Sequence, residues 1–193
     1  METLGLRERK KAATRQALHE AALGLALEFG PDRITVELIA DAASVSRRTF
    51  SNYFANKEEA IFYGERARMH RLLALVHERP VDEPPRAALL GAARELVARS
   101  DHPDPAWAAQ RRLLRGHPSL AAHQVAAYAV VERDLAAALA LRMPPDGNAA
   151  LRSRVLAATF LAAVRAASHV WLDQPDRPLR ELVDDALEYL TAP

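Results

Sequence analysis

Apolar residues recur at helical spacing through most of the chain, and no segment shows the two-residue alternation typical of a β-strand. Proline- or glycine-containing breaks separate these stretches. The pattern predicts helices over residues 14–29, 57–77, 86–99, 106–115, 120–142, 149–172 and 179–190. Two shorter helices are predicted within residues 35–54. The chain is therefore predicted to adopt an all-α fold.

Residues 35–54, TVELIADAASVSRRTFSNYF, form the most informative stretch. Thr35 is placed to cap one short helix and Ser46 a second, with a tight turn at Ser44 and Val45 between them. The second helix combines arginine, hydroxyl and amide side chains and carries no acid. This composition suits a helix that approaches phosphates and base edges in a major groove.

The order T-V-x-x-I-A-x-x-A-x-V-S-x-x-T-F-x-x-Y-F, followed by N-K-E from Asn56, resembles the helix-turn-helix of TetR-family transcriptional regulators. The resemblance covers roughly residues 7–70. It implies an N-terminal three-helix helix-turn-helix DNA-binding domain over 7–70, with the motif at about 34–54. It also implies a C-terminal helical domain over 71–193 that binds an effector and dimerises.

DNA contacts are predicted on the two short helices and just after them. Base-edge readout is predicted for Arg47, Arg48, Thr49 and Asn52 beside the cap Ser46, and phosphate contact for Thr35, Ser51 and Tyr53. The resemblance adds Lys57 as a phosphate ligand. It also makes the helix over 57–77, with Asn56 and Glu59 as a capping pair, the connector to the second domain.

Two positions depart from the common pattern of that family. Ser44 stands where glycine is usual, and a left-handed serine there costs roughly 1–2 kcal/mol. Ser51 stands where tyrosine is frequent, so a phosphate contact is lost or made by a shorter hydroxyl. Residues 1–11 are predicted to form a mobile basic arm. Both a DNA contact, as in similar regulators, and a solvated terminus remain open for it.

Residues 155–164 carry no charge on any side of their predicted helix. A helix that is apolar all round must be buried all round, and its own domain covers only part of it. With the amphipathic helix over 179–190, it predicts a four-helix bundle formed by two subunits. A single-subunit core is the alternative.

The resemblance implies a small-molecule cavity in the second domain, which aromatic and aliphatic residues would line and basic residues would complete. The candidates are Trp107, Arg111, Leu114, His123, Tyr128, Phe160, Val164, Arg165 and Trp171. An anionic lipophilic effector such as an acyl-CoA would use both an apolar chamber and arginines. An ordinary hydrophobic core would account for the same aromatic residues.

Composition narrows the remaining possibilities. Half of the 193 residues are apolar, 26% are charged, the net charge is +1, and there is no cysteine. No histidine pair has metal-ligand spacing and no catalytic or phosphate-loop motif is present, so we expect no metal, no cofactor and no enzymatic activity. Neither a signal peptide nor a long uncharged apolar run is present, so we expect a cytoplasmic protein without a membrane partner.

Together these features predict a ligand-responsive transcriptional regulator. As a repressor, it would bind a near-palindromic double-stranded operator as a homodimer and be released by a small hydrophobic or amphipathic effector. The alternative is an all-helical small-molecule binding or carrier protein without a DNA function. That alternative would favour a neutral or acidic second helix in residues 35–54, whereas this helix is basic.

Overall fold

The computed structural model describes residues 5–98, 105–174 and 176–189. These ranges contain nine α-helices and no strand, which confirms the all-α prediction. The helices are α1 Leu6–Phe29, α2 Val36–Ala42, α3 Arg47–Ser51, α4 Lys57–Glu78, α5 Pro85–Ala98, α6 Pro105–Gly116, α7 Pro118–Ala140, α8 Ala149–Asp173 and α9 Leu179–Tyr189.

The helix ends differ from the predictions in two places that matter for the site. Helix α1 begins at Leu6, so residues 6–11 of the predicted mobile arm are helical, while residues 1–4 lie outside the described chain. Arginine, lysine, glutamate and alanine favour helix, and glycine or proline is absent from this run. Helix α3 ends at Ser51, three residues early, because Tyr53 N–H donates to Phe50 O in a tighter turn.

The chain divides into two compact units, Met1–Arg66 with Ala109–Gln124 and Ala67–Ala108 with Val125–Pro193. Helices α4, α6 and α7 each contribute to both units. The sequence-based division at residue 70 assigned residues 109–124 to the second domain. They lie in the first unit because Leu113, Leu114 and Leu120 complete its core.

The core of the first unit holds helix α1 against the two short helices. Helix α1 contributes apolar residues at helical spacing to this core, and the other elements contribute mainly aliphatic and phenyl side chains. Its fully buried members include Leu18, Ala22, Ala26, Ile34, Ile39, Phe50 and Ile61. Phe29, the last residue of α1, is about half exposed and lies outside this core.

The core of the second unit is formed by parts of α4 and α5–α9. Its members include Leu75, Leu89, Leu135, Leu139, Phe160, Trp171 and Leu187. Helix α8 is long and apolar enough to cross a membrane by length and composition alone. However, Ala157, Phe160 and Trp171 on one side of it are buried in this core, so α8 is accounted for as a core helix.

Candidate nucleic-acid interface

Both short helices begin with the side-chain caps that the sequence predicted. The Thr35 hydroxyl oxygen accepts the Leu38 N–H at 3.3 Å at the start of α2. The Ser46 hydroxyl oxygen accepts the Thr49 N–H at 3.0 Å at the start of α3. Each bond satisfies a helix-terminal donor and fixes where its helix begins. For α3, which has only five residues, the cap is a large share of its local stabilisation.

The turn between the two helices uses Ser44 in the left-handed region, with φ of 54°, the conformation for which glycine is the usual residue. Ser44 N–H donates to Asp41 O at 3.0 Å, and Val45 N–H donates to Ala40 O at 2.9 Å. These two bonds close the end of α2 and offset the cost of a left-handed serine, about 1–2 kcal/mol. The turn is therefore tight without a glycine.

Helix α3 is anchored by two phenyl rings and presents its polar side chains outward. Phe50 and Phe54 are buried, with ring centroids 5.8 Å apart. The other side of the segment exposes Arg47, Arg48, Ser51 and Asn52. The structure thus brings these predicted base- and phosphate-contacting residues together on one surface. Thr49 and Tyr53 are half-buried at its edge.

Three hydroxyl groups on this surface already have partners within the motif. Ser51 Oγ donates to Arg47 O at 3.2 Å, and Thr49 Oγ1 lies 2.8 Å from Ser46 Oγ. A serine or threonine hydroxyl both donates and accepts, so these groups keep acceptor capacity. Their side chains are held in fixed rotamers before any ligand arrives.

An acid that the sequence analysis did not single out lies beside this basic surface. Glu37, in the first turn of α2, forms an exposed ion pair with Arg47 at 3.0 Å. A hydrogen bond from its own backbone N–H lowers the pKa of Glu37. Burial raises this pKa by less, and the charge of Arg47 and a hydrogen bond with Thr35 lower it further. The guanidinium of Arg47 is thus balanced by a carboxylate in the free protein.

The first turns of α1 and residues 46–54, here called the recognition segment, line an open groove of about 750 Å³. Its α1 side carries three cations and one acid. The lining residues are Leu6, Arg7, Glu8, Lys10, Lys11, Thr14, Thr49, Asn52 and Tyr53. The early start of α1 creates this groove, so a prediction of a mobile arm could not have found it.

Tyr53 is held from the side of α1. The guanidinium carbon of Arg15 lies 5.6 Å from the centre of the Tyr53 ring and 5.8 Å from that of Tyr63 on α4. Such cation–π contacts contribute about 0.5–1 kcal/mol each at exposed sites. Arg15 therefore links the end of the recognition segment to α1 and α4.

Asn56 and Glu59 cap the start of α4 as predicted, except that the Glu59 carboxylate binds the N–H of Ala55 and not that of Asn56. Glu59 N–H donates to Asn56 Oδ1 at 2.7 Å, and the Glu59 carboxylate accepts the Ala55 N–H at 2.8 Å. Partial burial raises the pKa of Glu59, but the Ala55 bond and Arg66 outweigh it, with a smaller contribution from Arg15, so the net pKa lies below its ordinary value.

Lys57 is the first residue of α4, and its ammonium faces back into the first unit. Lys57 Nζ donates to Pro31 O at 2.8 Å and to Ile34 O at 3.1 Å. Two of its three donors are therefore used by the connection between α1 and α2. The predicted phosphate ligand has an internal role in the free protein.

Four residues of the predicted effector chamber share the core of the second unit. Trp107 and Trp171 are buried with ring centroids 5.7 Å apart, Phe160 is buried in the same core, and Val164 packs against it. The guanidinium carbon of Arg68 lies 4.8 Å from the centre of the Trp107 ring. Arg68 was not predicted, because its position in the middle of α4 carries no signal of its own.

The other predicted chamber residues have different surroundings. Leu114 lies in the core of the first unit, and Arg111 forms a buried ion pair with Glu65 at 2.8 Å in that unit. These two side chains follow Trp107 on α6, after the helix has entered the first unit. The remaining members are the half-buried Tyr128 and the exposed His123 and Arg165. Within the described residues no group of histidine, cysteine or acidic side chains could hold a metal ion.

The capped helix pair with its exposed basic face is a helix-turn-helix of the DNA-binding regulator class. Residues 18–61 match the family described as bacterial regulatory proteins, tetR family, and residues 83–193 match the MftR C-terminal domain. The regulator TcmR of Streptomyces glaucescens is 35% identical over 184 residues, covering 92% of this chain and 81% of TcmR. The chain therefore belongs to the TetR family of transcriptional regulators.

Solved structures support the fold. A SmeT–triclosan complex has a TM-score of 0.63 at 19% identity and covers 92% of this chain and 91% of SmeT. The fatty acid degradation regulator FadR from Bacillus halodurans has a TM-score of 0.58 at 18% identity, with 98% and 96% coverage. The protein is thus a DNA-binding regulator with the TetR fold and not an enzyme, as predicted.

Proposed function

We propose that this protein is a cytoplasmic repressor that binds a near-palindromic operator as a homodimer and is released by a small hydrophobic or amphipathic effector. The observation that carries the proposal is the exposed face of α3. It presents Arg47 and Arg48 on a helix fixed by the Ser46 cap and by a buried Phe50, with Asn52 exposed at its C-terminal cap. Arginine and asparagine are the side chains that best distinguish guanine and adenine in the major groove.

The proposed DNA contacts are of two kinds, to base edges and to backbone phosphates. Arg47, Arg48, Thr49 and Asn52 read base edges from α3, whereas Thr35, Ser51 and Tyr53 contact phosphates beside it. The Thr35 hydroxyl stands at the positive N-terminus of α2, where a phosphate is favoured. The groove at the start of α1 adds Arg7, which is exposed at its edge.

The dimer is proposed from the surface of α8. Its apolar side chains opposite the core are exposed in the single chain, and they recur at helical spacing. They are Leu151, Val155, Ala162, Ala166 and Val170. A second copy of α8 with its α9 would cover this stripe in a four-helix bundle. Two α3 helices would then enter successive major grooves about 34 Å apart.

The effector is proposed to bind in the second unit near Trp107 and Trp171. An aromatic pair gives an apolar contact surface, and Arg68 over Trp107 supplies a cation beside it. A molecule with an aliphatic chain and an anionic group would use both, and an acyl-CoA has both. Binding need only favour a conformation whose recognition helices are wrongly spaced. Helix α4, which begins at the motif and continues into the second unit, is the proposed coupling element.

Selection of bound sequences from a random DNA pool, at near-physiological salt, tests the proposal. Enrichment of a two-fold-symmetric motif is expected and would provide a probe for effector screening with acyl-CoAs. Binding that is only salt-sensitive and sequence-independent would contradict specific readout. It would favour the carrier-protein alternative, particularly if acyl-CoAs raised the melting temperature of the same preparation.

A further inference from the structure

Lys57 lies where a lysine is electrostatically unfavourable for its own helix. It is the first residue of α4, and a cation at a helix N-terminus opposes the helix dipole. Glu58 and Glu59 in the same turn suit the dipole better. The Lys57 side chain is half-buried and turns away from α4 to reach two backbone carbonyls. Its position is therefore explained by those carbonyls.

The two carbonyls belong to the connection between α1 and α2, which leaves regular structure at Gly30. Gly30 has φ of 85°, and Arg33 N–H donates to Gly30 O at 3.2 Å. Pro31 and Ile34 are buried, so their carbonyl oxygens need donors from the protein. The Lys57 ammonium donates to both, with hydrogen bonds strengthened by its charge.

This connection determines where α2 begins. Ile34 is buried in the first core, and the next residue, Thr35, caps α2. Holding Ile34 O therefore fixes the backbone that presents the Thr35 hydroxyl. The same ammonium is attached to the first turn of α4. Lys57 thus joins α4 to the N-terminus of α2 through one side chain.

We infer that Lys57 is a positioning residue, which sets the N-terminus of α2 for the operator and does not act mainly by neutralising a DNA phosphate. The inference rests on the proposed DNA-binding function. It assigns to Lys57 an effect on the preference for operator over random DNA. A phosphate contact would instead add affinity for all DNA and increase its salt dependence.

The test compares Lys57→Met with Lys11→Met, an exposed lysine in the α1 groove, on the selected operator and on random DNA over a range of salt. For Lys57→Met we expect about a tenfold loss of operator affinity, little change on random DNA, and an unchanged salt slope. For Lys11→Met we expect similar losses on both DNAs and a salt slope smaller by about 0.9. Equal losses and a reduced slope for Lys57→Met would overturn the inference.

A DNA-free measurement separates this inference from the proposed function. Hydrogen exchange of the amides at 35–39 should accelerate in Lys57→Met, well below its melting temperature, and should not change in Lys11→Met. Unchanged exchange would overturn the positioning role even if no operator had been found. If Lys57→Met does not fold, Lys57→Gln is measured by the same two criteria, since it also removes the charge. A purely structural role would lower the melting temperature but leave the operator preference intact.

Discussion

The Arg47 side chain is exposed and forms an ion pair with Glu37. Its contribution to DNA binding can therefore be measured by substitution. If it reads guanine through two hydrogen bonds, Arg47→Ala should cost roughly 1–3 kcal/mol on the operator and relax the sequence preference at one base pair per half-site. Binding to variant operators and random DNA by fluorescence anisotropy checks this expectation. Arg86→Ala, an exposed arginine at the start of α5, is the matched control and should leave binding unchanged.

The ion pair between Arg47 and Glu37 determines how a loss of DNA affinity in Arg47→Ala is interpreted. An exposed pair at 3.0 Å contributes little to stability, so the protein should fold equally well without Arg47. Equal losses on operator and random DNA would show that Arg47 only neutralises phosphate. Glu37→Gln, measured alongside, would then raise affinity for both DNAs, because it removes a negative charge from the same surface.

Glu59 gives the first unit an acid-sensitive contact. Because the pKa of Glu59 is lowered in the folded protein, its stabilising effect is present above the ordinary value of 4.5 and is lost as the pH falls through the lowered pKa. Near neutral pH, Glu59→Gln should reduce the free energy of unfolding by about 0.5–1 kcal/mol, allowing for solvent screening. The difference from wild type should shrink below pH 4.5 in denaturant titrations.

Glu28→Gln, an exposed acid on α1, is the control for that titration and should follow the wild-type curve. A gap between wild type and Glu59→Gln that stayed constant through the acid range would contradict the charge-based account. The amide of glutamine still accepts a hydrogen bond from Ala55, so the comparison isolates the carboxylate charge.

Local contacts at the interface could be predicted from the sequence, whereas contacts between helices could not. Thr35 and Ser46 each cap an N–H three residues further on, so residue type and spacing are sufficient. The Arg47–Glu37 pair and the Lys57 bonds join segments whose relative placement depends on packing in the first core. Sequence spacing carries no information on that placement.

At the scale of helices, the positions of the elements followed from apolar spacing, but some ends did not. Helix α1 starts at Leu6 because its polar first turns are good helix formers without an apolar stripe to reveal them. Helix α3 stops at Ser51 because the last turn tightens toward Phe54. Hydrophobic periodicity does not detect these two helix ends, because neither depends on the spacing of apolar residues.

Gly64 allows α4 to approach α1 and α6 closely. A β-carbon there would lie 2.8 Å from His19 Nε2 and 3.4 Å from Gln110 Oε1. The imidazole is buried, and its Nδ1 lies 2.8 Å from Ala60 O, so it cannot easily move. Gly64→Ala should therefore destabilise the protein by about 1–3 kcal/mol in chemical unfolding, despite the better helix propensity of alanine.

Gly24 on α1 is the matched control, because a β-carbon there meets no atom within 4 Å. Gly24→Ala should stabilise the protein by up to about 1 kcal/mol through helix propensity. If both substitutions changed stability in the same direction, crowding at Gly64 would not be the dominant effect. The pair thus separates packing from propensity within one chain.

At the scale of the whole molecule, the sequence predicted two domains but not the return of α6 and α7 to the first unit. Leu113, Leu114 and Leu120 look like residues of any helical core, and only the fold determines which core they enter. For the same reason, the residues predicted to line one effector chamber are divided between the two units. Trp107 belongs to one core, while Arg111, one turn further on, belongs to the other.

The exposed stripe of α8 leads to the prediction that concerns assembly. Val155 is about half exposed in the single chain and belongs to the stripe that a second subunit would bury. A glutamate there would place a charge at the centre of an apolar bundle, which is strongly unfavourable without a partner. Val155→Glu should therefore convert a dimer at micromolar concentration into a folded monomer, as measured by sedimentation or light scattering.

Leu141→Glu is the control, since Leu141 is even more exposed but lies in the turn after α7. It should remain dimeric. The monomeric Val155→Glu protein should bind a single half-site weakly and lose the preference for two correctly spaced half-sites, because the second recognition helix is no longer tethered. A wild-type protein already monomeric at micromolar concentration would refute the dimer, and its α8 stripe would then need another partner.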